Sequence, residues 1–90
     1  MKKYLIERNI PGVEQLNAEQ LQGAAATSNT ALAQLAPRVQ WLESFVTKDR
    51  TFCVYLAEDE AAVQEHARLS GFPANKVTEV ARVIDPTTAA

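Results

Sequence analysis

Very little in this chain marks a specialised site. Its 90 residues contain one cysteine, one histidine, one tryptophan and one methionine. A lone thiol, Cys53, cannot close an internal disulfide, and no second Cys or His stands near it at zinc-site spacing. Three glycines and four prolines are scattered along the chain, and no phosphate loop, nucleophile elbow, HExxH helix or EF-hand loop occurs. Neither sign of charge prevails: nine basic and eleven acidic residues are interspersed, for a net charge of −2. The absence of a basic field to hold a phosphate backbone counts against nucleic acid as a partner. No apolar run approaches the ~20 residues that a membrane span needs. The opening Met1-Lys-Lys-Tyr-Leu-Ile-Glu-Arg8 has the charge of a signal peptide, but Glu7 and Arg8 interrupt the apolar stretch that must follow. The expectation is a soluble cytoplasmic protein that meets neither nucleic acid nor membrane.

The residues that are present suffice for one small domain, expected over 1–86 with a frayed tail over 87–90. Ile, Leu, Val and Phe number 22 of the 90, above the roughly 20% below which chains stay disordered. The core is thin, since 15 residues are Ala. A domain this small buries only about 60–65% of its unfolded surface, so a partner subunit would add stability. Cys53 lies in the strand-like run Thr51-Phe-Cys-Val-Tyr55 with no cation beside it in sequence, and reads as a small buried hydrophobe.

Local signals order the elements. Lys3 to Asn9 reads as a strand ending at the turn Ile10-Pro11-Gly12. Asn17 with Gln20 three residues on forms a capping box, and Leu21, Ala25, Ser28, Leu32 and Leu35 make one helical stripe that Pro37 stops. Two apolar runs, Arg38 to Val46 and Thr51 to Ala57, flank the polar Thr47-Lys-Asp-Arg50 as a hairpin. An acidic turn at Glu58-Asp59-Glu60 opens a second helix that runs to about Ser70, with Gly71 as its C′ residue. A last strand spans Lys76 to Ile84. The order β-α-β-β-α-β is the α+β, ferredoxin-like plan: a four-stranded antiparallel sheet with two helices on one face. Both sheet faces carry apolar residues, whereas a face in water would read polar. A second copy of the chain is the simplest cover, giving a homodimer through the open sheet face and a dimeric α/β barrel.

A helical wheel puts the only histidine, His66, on the sheet-facing side of the second helix with Ala62, Val63 and Ala67. It is either a structural imidazole bonded to a carbonyl or tyrosine, or a pocket group serving as acid, base or ligand. Glu43 alternates with Trp41 and Phe45. A hairpin loop of even length would add Phe52, Val54 and Leu56 to the same face. That arrangement gathers the larger apolar residues on one side, so it is favoured, and it sets Glu43 beneath the helices in reach of His66. An odd loop would put Glu43 with Cys53 and Tyr55 on the dimer side. A His66–Glu43 pair in a pocket with Trp41 and Tyr55 could transfer a proton or offer two ligands to a metal. Trp41 and Tyr55 read equally well as plain core aromatics. Glu7 and Glu79, on strands this fold makes neighbours, form either a carboxylate pair or two separately solvated or salt-bridged acids.

The chain also resembles a small bacterial domain family of unknown function. The likeness rests on Tyr4-Leu-Ile-Glu-Arg8, Trp41-Leu-Glu-Ser-Phe-Val46 and Asp49-Arg-Thr-Phe-Cys-Val-Tyr55, and continues through Glu65-His66-Ala67, Gly71-Phe-Pro73, Val77-Thr-Glu-Val80 and Asp85-Pro86. Characterised members are described as nickel-binding, ferredoxin-like homodimers. The resemblance implies Ni2+ as a candidate ligand, a role in metal response or storage, and His66 as a candidate donor. The expected function is thus a non-catalytic metal- or small-ligand-binding homodimer. The alternative is a cofactor-independent dimeric α/β-barrel enzyme of monooxygenase, isomerase or cyclase type, working through His66 and Glu43.

Overall fold

A computed structural model describes residues 1–90. Helix α1 (Ala18–Leu35) starts at the Asn17 cap: the Asn17 side chain accepts from the Gln20 backbone at 2.8 Å, and the Gln20 side chain accepts from the Asn17 backbone at 2.9 Å. Helix α2 (Glu60–Ser70) is capped by Asp59, which accepts from the Ala62 N–H at 2.9 Å. Gly71 ends α2 with φ 78°, a left-handed conformation that an L side chain would strain. Strands β1 (Lys2–Asn9), β2 (Val39–Val46), β3 (Arg50–Ala57) and β4 (Lys76–Val80) form one antiparallel sheet in the order β2-β3-β1-β4. This is the ferredoxin-like α+β fold that the element order implies.

The last strand is shorter than its apolar pattern suggests. Val80 pairs with Lys3, so β1 offers almost no backbone for residues further on. Val83 and Ile84 lie beyond the sheet and are exposed. In the segment expected to fray, Pro86–Ala89 close a short 3-10 turn capped by Asp85, with every residue exposed.

The hairpin has the favoured even register: Glu43 faces Val54, Phe45 faces Phe52 and Val46 faces Thr51. The helices nevertheless cover the opposite face from the one expected. Tyr4, Ile6 and Arg8 of β1 pair with Tyr55, Cys53 and Thr51 of β3, and all six are buried beneath the helices. Phe52, Val54 and Leu56 alternate onto the open face, half-buried among sheet neighbours. A bulge then splits β2. Trp41 pairs with Tyr55 while the next pair is Glu43–Val54, which leaves Leu42 without a partner. One inserted residue reverses the alternation. Val39 and Trp41 therefore face the helices, whereas Glu43 and Phe45 face away.

The helices settle on this face because of their own surfaces. α2 offers Ala62, Val63, His66 and Ala67. Small side chains let it lie close to the sheet, where Tyr4, Tyr55 and Val39 share one apolar cluster with Ala62 and Val63.

Candidate functional site

Four polar side chains from four elements meet beneath the helices. α2 carries His66, 1% exposed, and α1 carries Ser28, 4% exposed. The His66 Nε2 lies 3.2 Å from the Ser28 hydroxyl, which in turn lies 3.5 Å from the Tyr55 hydroxyl on β3. The rings of Tyr55 and His66 sit 5.1 Å apart at a 53° tilt, and Trp41 stacks on the other side of Tyr55 at 6.5 Å. From β1, Arg8 enters the same region at 2% exposure. Its Nη1 donates to the Pro73 carbonyl at 2.9 Å and, more weakly, to that of Phe72 at 3.5 Å. Its guanidinium carbon lies 5.9 Å from the ring centroids of both Tyr55 and Phe72.

The electrostatics follow from this packing. Burial disfavours the imidazolium, and the nearby Arg8 charge adds to it, so the His66 pKa falls below the usual histidine value despite an opposing hydrogen bond at Ser28. Burial also pushes the Tyr55 hydroxyl pKa up, against smaller opposing effects of Ser28 and Arg8. At neutral pH the cluster thus consists of a neutral imidazole, a neutral phenol and one fixed cation. None of the chain's four ion pairs includes Arg8. Two buried side-chain polar atoms have no partner, Arg8 Nη2 and His66 Nδ1.

Beside the cluster lies a cavity of about 360 Å3, within the range of small-molecule sites. It occupies the hairpin end of β2 and β3 under the first half of α1, with Leu21, Ala24, Trp41 and Tyr55 among its walls. Ten of its 14 lining residues are hydrophobic, and none is Asp, Glu, Lys or Arg. On α1 the wall is made by Leu21, Ala24 and Ser28, and the small Ala24 and Ser28 leave few side-chain atoms to fill the space below.

The structure brings His66, Tyr55 and Trp41 together beneath the helices, although the favoured hairpin reading puts Tyr55 on the open side with Cys53. It does not bring Glu43 to them. The bulge at Leu42 and the choice of helix face leave Glu43 exposed on the open side, so the expected His66–Glu43 pair, as proton relay or as two metal ligands, does not form. Glu7 and Glu79 also diverge. Glu7 sits opposite Lys76 and Glu79 opposite Tyr4, on different faces of the sheet. Each takes its own cation instead, Arg50 for Glu7 and Lys2 for Glu79, both at 3.7 Å. Sequence reasoning missed Arg8 as a site residue, although its period-two spacing from Tyr4 and Ile6 puts it on their face. Ser28 stood in the helical stripe but not as a hydrogen-bonding partner for His66.

The family model described as nickel responsive protein SCO4226-like matches residues 4–80. The chain belongs to this family. The crystal structure of SCO4226 from Streptomyces coelicolor A3(2) is similar in fold, with a TM-score of 0.77 at 15% identity over 91% of this chain and 99% of that one. Among curated proteins none matches. The description of the SCO4226-like family raises nickel directly, but the interior of this chain does not suit it. No group of three or more His, Cys, Asp or Glu side chains is placed to hold a metal ion. The imidazole Nε2 is engaged by Ser28, Nδ1 is buried in the field of the Arg8 cation, and the Cys53 sulfur lies against Thr51 Oγ1 at 3.5 Å. A metal dication entering this cluster would meet an arginine in place of a carboxylate. No helix is long and apolar enough to cross a membrane.

Proposed function

We propose that this SCO4226-like protein is a non-catalytic binding protein, working as a homodimer, whose protomers each hold a small, largely apolar molecule between α1 and the sheet. The observation that carries this reading is the cavity of about 360 Å3 with its apolar walls. Enzymatic acid–base chemistry is the weaker reading, because the carboxylate that would partner His66 stands on the far side of the sheet. Support for the homodimer comes from the open face, where Leu5, Phe45, Phe52, Val54 and Leu56 form an apolar surface without a helix over it. Glu43 at the β2 edge and Lys76 at the β4 edge give that surface opposite charges on opposite sides. A two-fold axis along the strands would lay each edge over the other's counterpart.

Trp41 is the only tryptophan and lines the cavity, so its fluorescence reports occupancy. Titration with 1-octanol should give a saturable change that Ala24→Phe, which fills the space, abolishes. No saturable change in the native protein overturns the cavity reading. Nickel chloride in place of the alcohol should leave the signal without a saturable phase. A saturable nickel response lost in His66→Ala would make this a metal-binding protein instead.

A further inference from the structure

The bulge at Leu42 decides which side chains of β2 face the cavity. Without it, the alternation from Trp41 would carry Glu43 and Phe45 inward. With it, Ser44 pairs with Cys53 and Val46 with Thr51, and all four line the cavity together with Trp41. Glu43 and Phe45 take no part in the wall and are exposed on the open face. A carboxylate and a large ring are thereby exchanged for a hydroxyl and a smaller aliphatic side chain. The inserted residue makes room for a ligand and removes the only charge that β2 could bring to it.

Hydrogen bonding on the wall singles out Ser44. The Trp41 Nε1–H can only donate, and it donates to the Ser44 hydroxyl oxygen at 2.9 Å. Ser44 is therefore the acceptor in that bond. Its own O–H hydrogen is uncommitted, since no side-chain or backbone group of the protein takes it. The other wall hydroxyls are joined to neighbours: Tyr55 meets Ser28, Ser28 meets His66, and Thr51 meets the Cys53 sulfur. With no Asp, Glu, Lys or Arg on the wall, an ion of either sign would enter without a counter-charge.

Resting on the cavity reading above, we infer that the ligand is a neutral carbonyl compound, its apolar body in the cavity and its carbonyl oxygen accepting from the Ser44 hydroxyl. A carbonyl oxygen meets that donor without adding a second donor for the wall to satisfy. A pure hydrocarbon would leave the Ser44 O–H covered and unpaired.

The probe is 2-octanone, whose C=O stretch falls in frequency when the oxygen accepts a hydrogen bond, read by infrared difference spectroscopy at pH 8. Bound to the native protein, its band should lie below its position in hexane. Trp41→Phe, which removes the competing indole N–H, should keep that shift. Ser44→Ala added to Trp41→Phe should move the band to the hexane position, whereas Ser44→Thr in the same background, which keeps a hydroxyl, should not. A band at the hexane position in the native protein or in Trp41→Phe, or one unmoved by Ser44→Ala, overturns the carbonyl assignment. So does 2-octanone that fails to bind where 1-octanol binds, and in each of these cases the cavity reading stands. Failure of both probes to bind removes the cavity reading and the carbonyl assignment together.

Discussion

The two faces of the sheet follow the same alternation to opposite ends. The helix-covered face buries polar groups, Arg8, Tyr55, Ser28 and His66, next to a space it does not fill. The open face carries Phe45 at 52% exposure and half-buried Phe52, Val54 and Leu56, yet it is apolar enough to be a core. The covered face is packed where Tyr4, Val39 and Ala57 meet Ala62 and Val63 of α2, and the cavity lies at its hairpin end. A protein serving only its own stability would place the large aliphatic and aromatic side chains inside.

The largest effect should separate the two faces at adjacent positions. Ile6 is fully buried under the helices, and its neighbour Leu5 points to the open side. Ile6→Ala should cost about 2–5 kcal/mol in chemical denaturation at any protein concentration. Leu5→Ala should cost less, and its cost should grow with protein concentration, since only the associated form buries that side chain. A Leu5→Ala cost independent of concentration would mean that the open face is not an interface.

A smaller effect, confined to association, should follow from a charge on the exposed face. Phe45→Asp should leave each protomer folded, because Phe45 contributes to no buried cluster. It should raise the dimer dissociation constant at least a hundred-fold, about 2.7 kcal/mol. Sedimentation velocity at micromolar concentration reads this as a shift from twice 9.9 kDa to 9.9 kDa. A native protein already sedimenting at the lower mass would end the homodimer proposal while leaving the covered face, with its cavity, as described.

How much of this was legible in the sequence depends on the range of the interaction. Asn17 with Gln20, and Gly71, act within a few residues, and the helix limits read from them match the structure, while the acidic turn at Glu58-Asp59-Glu60 resolves into Asp59 as the cap and Glu60 as the first helical residue. The inward turn of His66 followed from the helical wheel alone. The even hairpin register was legible too, because it was the one that collects Phe45, Phe52 and Val54. Its direction was not. Size and hydrophobicity favoured Phe52, Val54 and Leu56 beneath the helices, and the structure places the smaller Thr51, Cys53 and Ala57 there instead. Where both faces of a sheet carry apolar residues, alternation says which residues share a side but not which side the helices take. The bulge at Leu42 is a second limit, since Trp41-Leu-Glu-Ser-Phe45 contains no glycine or proline to mark it. Arg8 was legible by phase and lost by expectation, as a charge in phase with Tyr4 and Ile6 looks like an exception to be solvated rather than a buried cation.

The smallest expected effect concerns pH and isolates the covered face. His66 has its pKa lowered in the folded protein by burial and by the Arg8 charge. In the unfolded chain an ordinary histidine gains its proton near pH 6.5, so below that pH the unfolded state binds more protons than the folded one. Stability from this group is therefore complete above about pH 6.5 and is lost as the pH falls toward the folded value, with a slope of at most about 1.4 kcal/mol per pH unit. The open face has no histidine, so replacing Phe45 should leave the slope unchanged. His66→Gln, which keeps a polar side chain near Ser28, should flatten the denaturation free energy between pH 7 and pH 5. Arg8→Met should flatten it in part, by removing one of the two causes of the shift while burial persists. If Arg8→Met leaves the acid slope intact and His66→Gln removes it, desolvation alone governs His66 and the two buried groups are not electrically coupled. If neither variant changes the slope, the acid sensitivity originates in carboxylates outside this cluster.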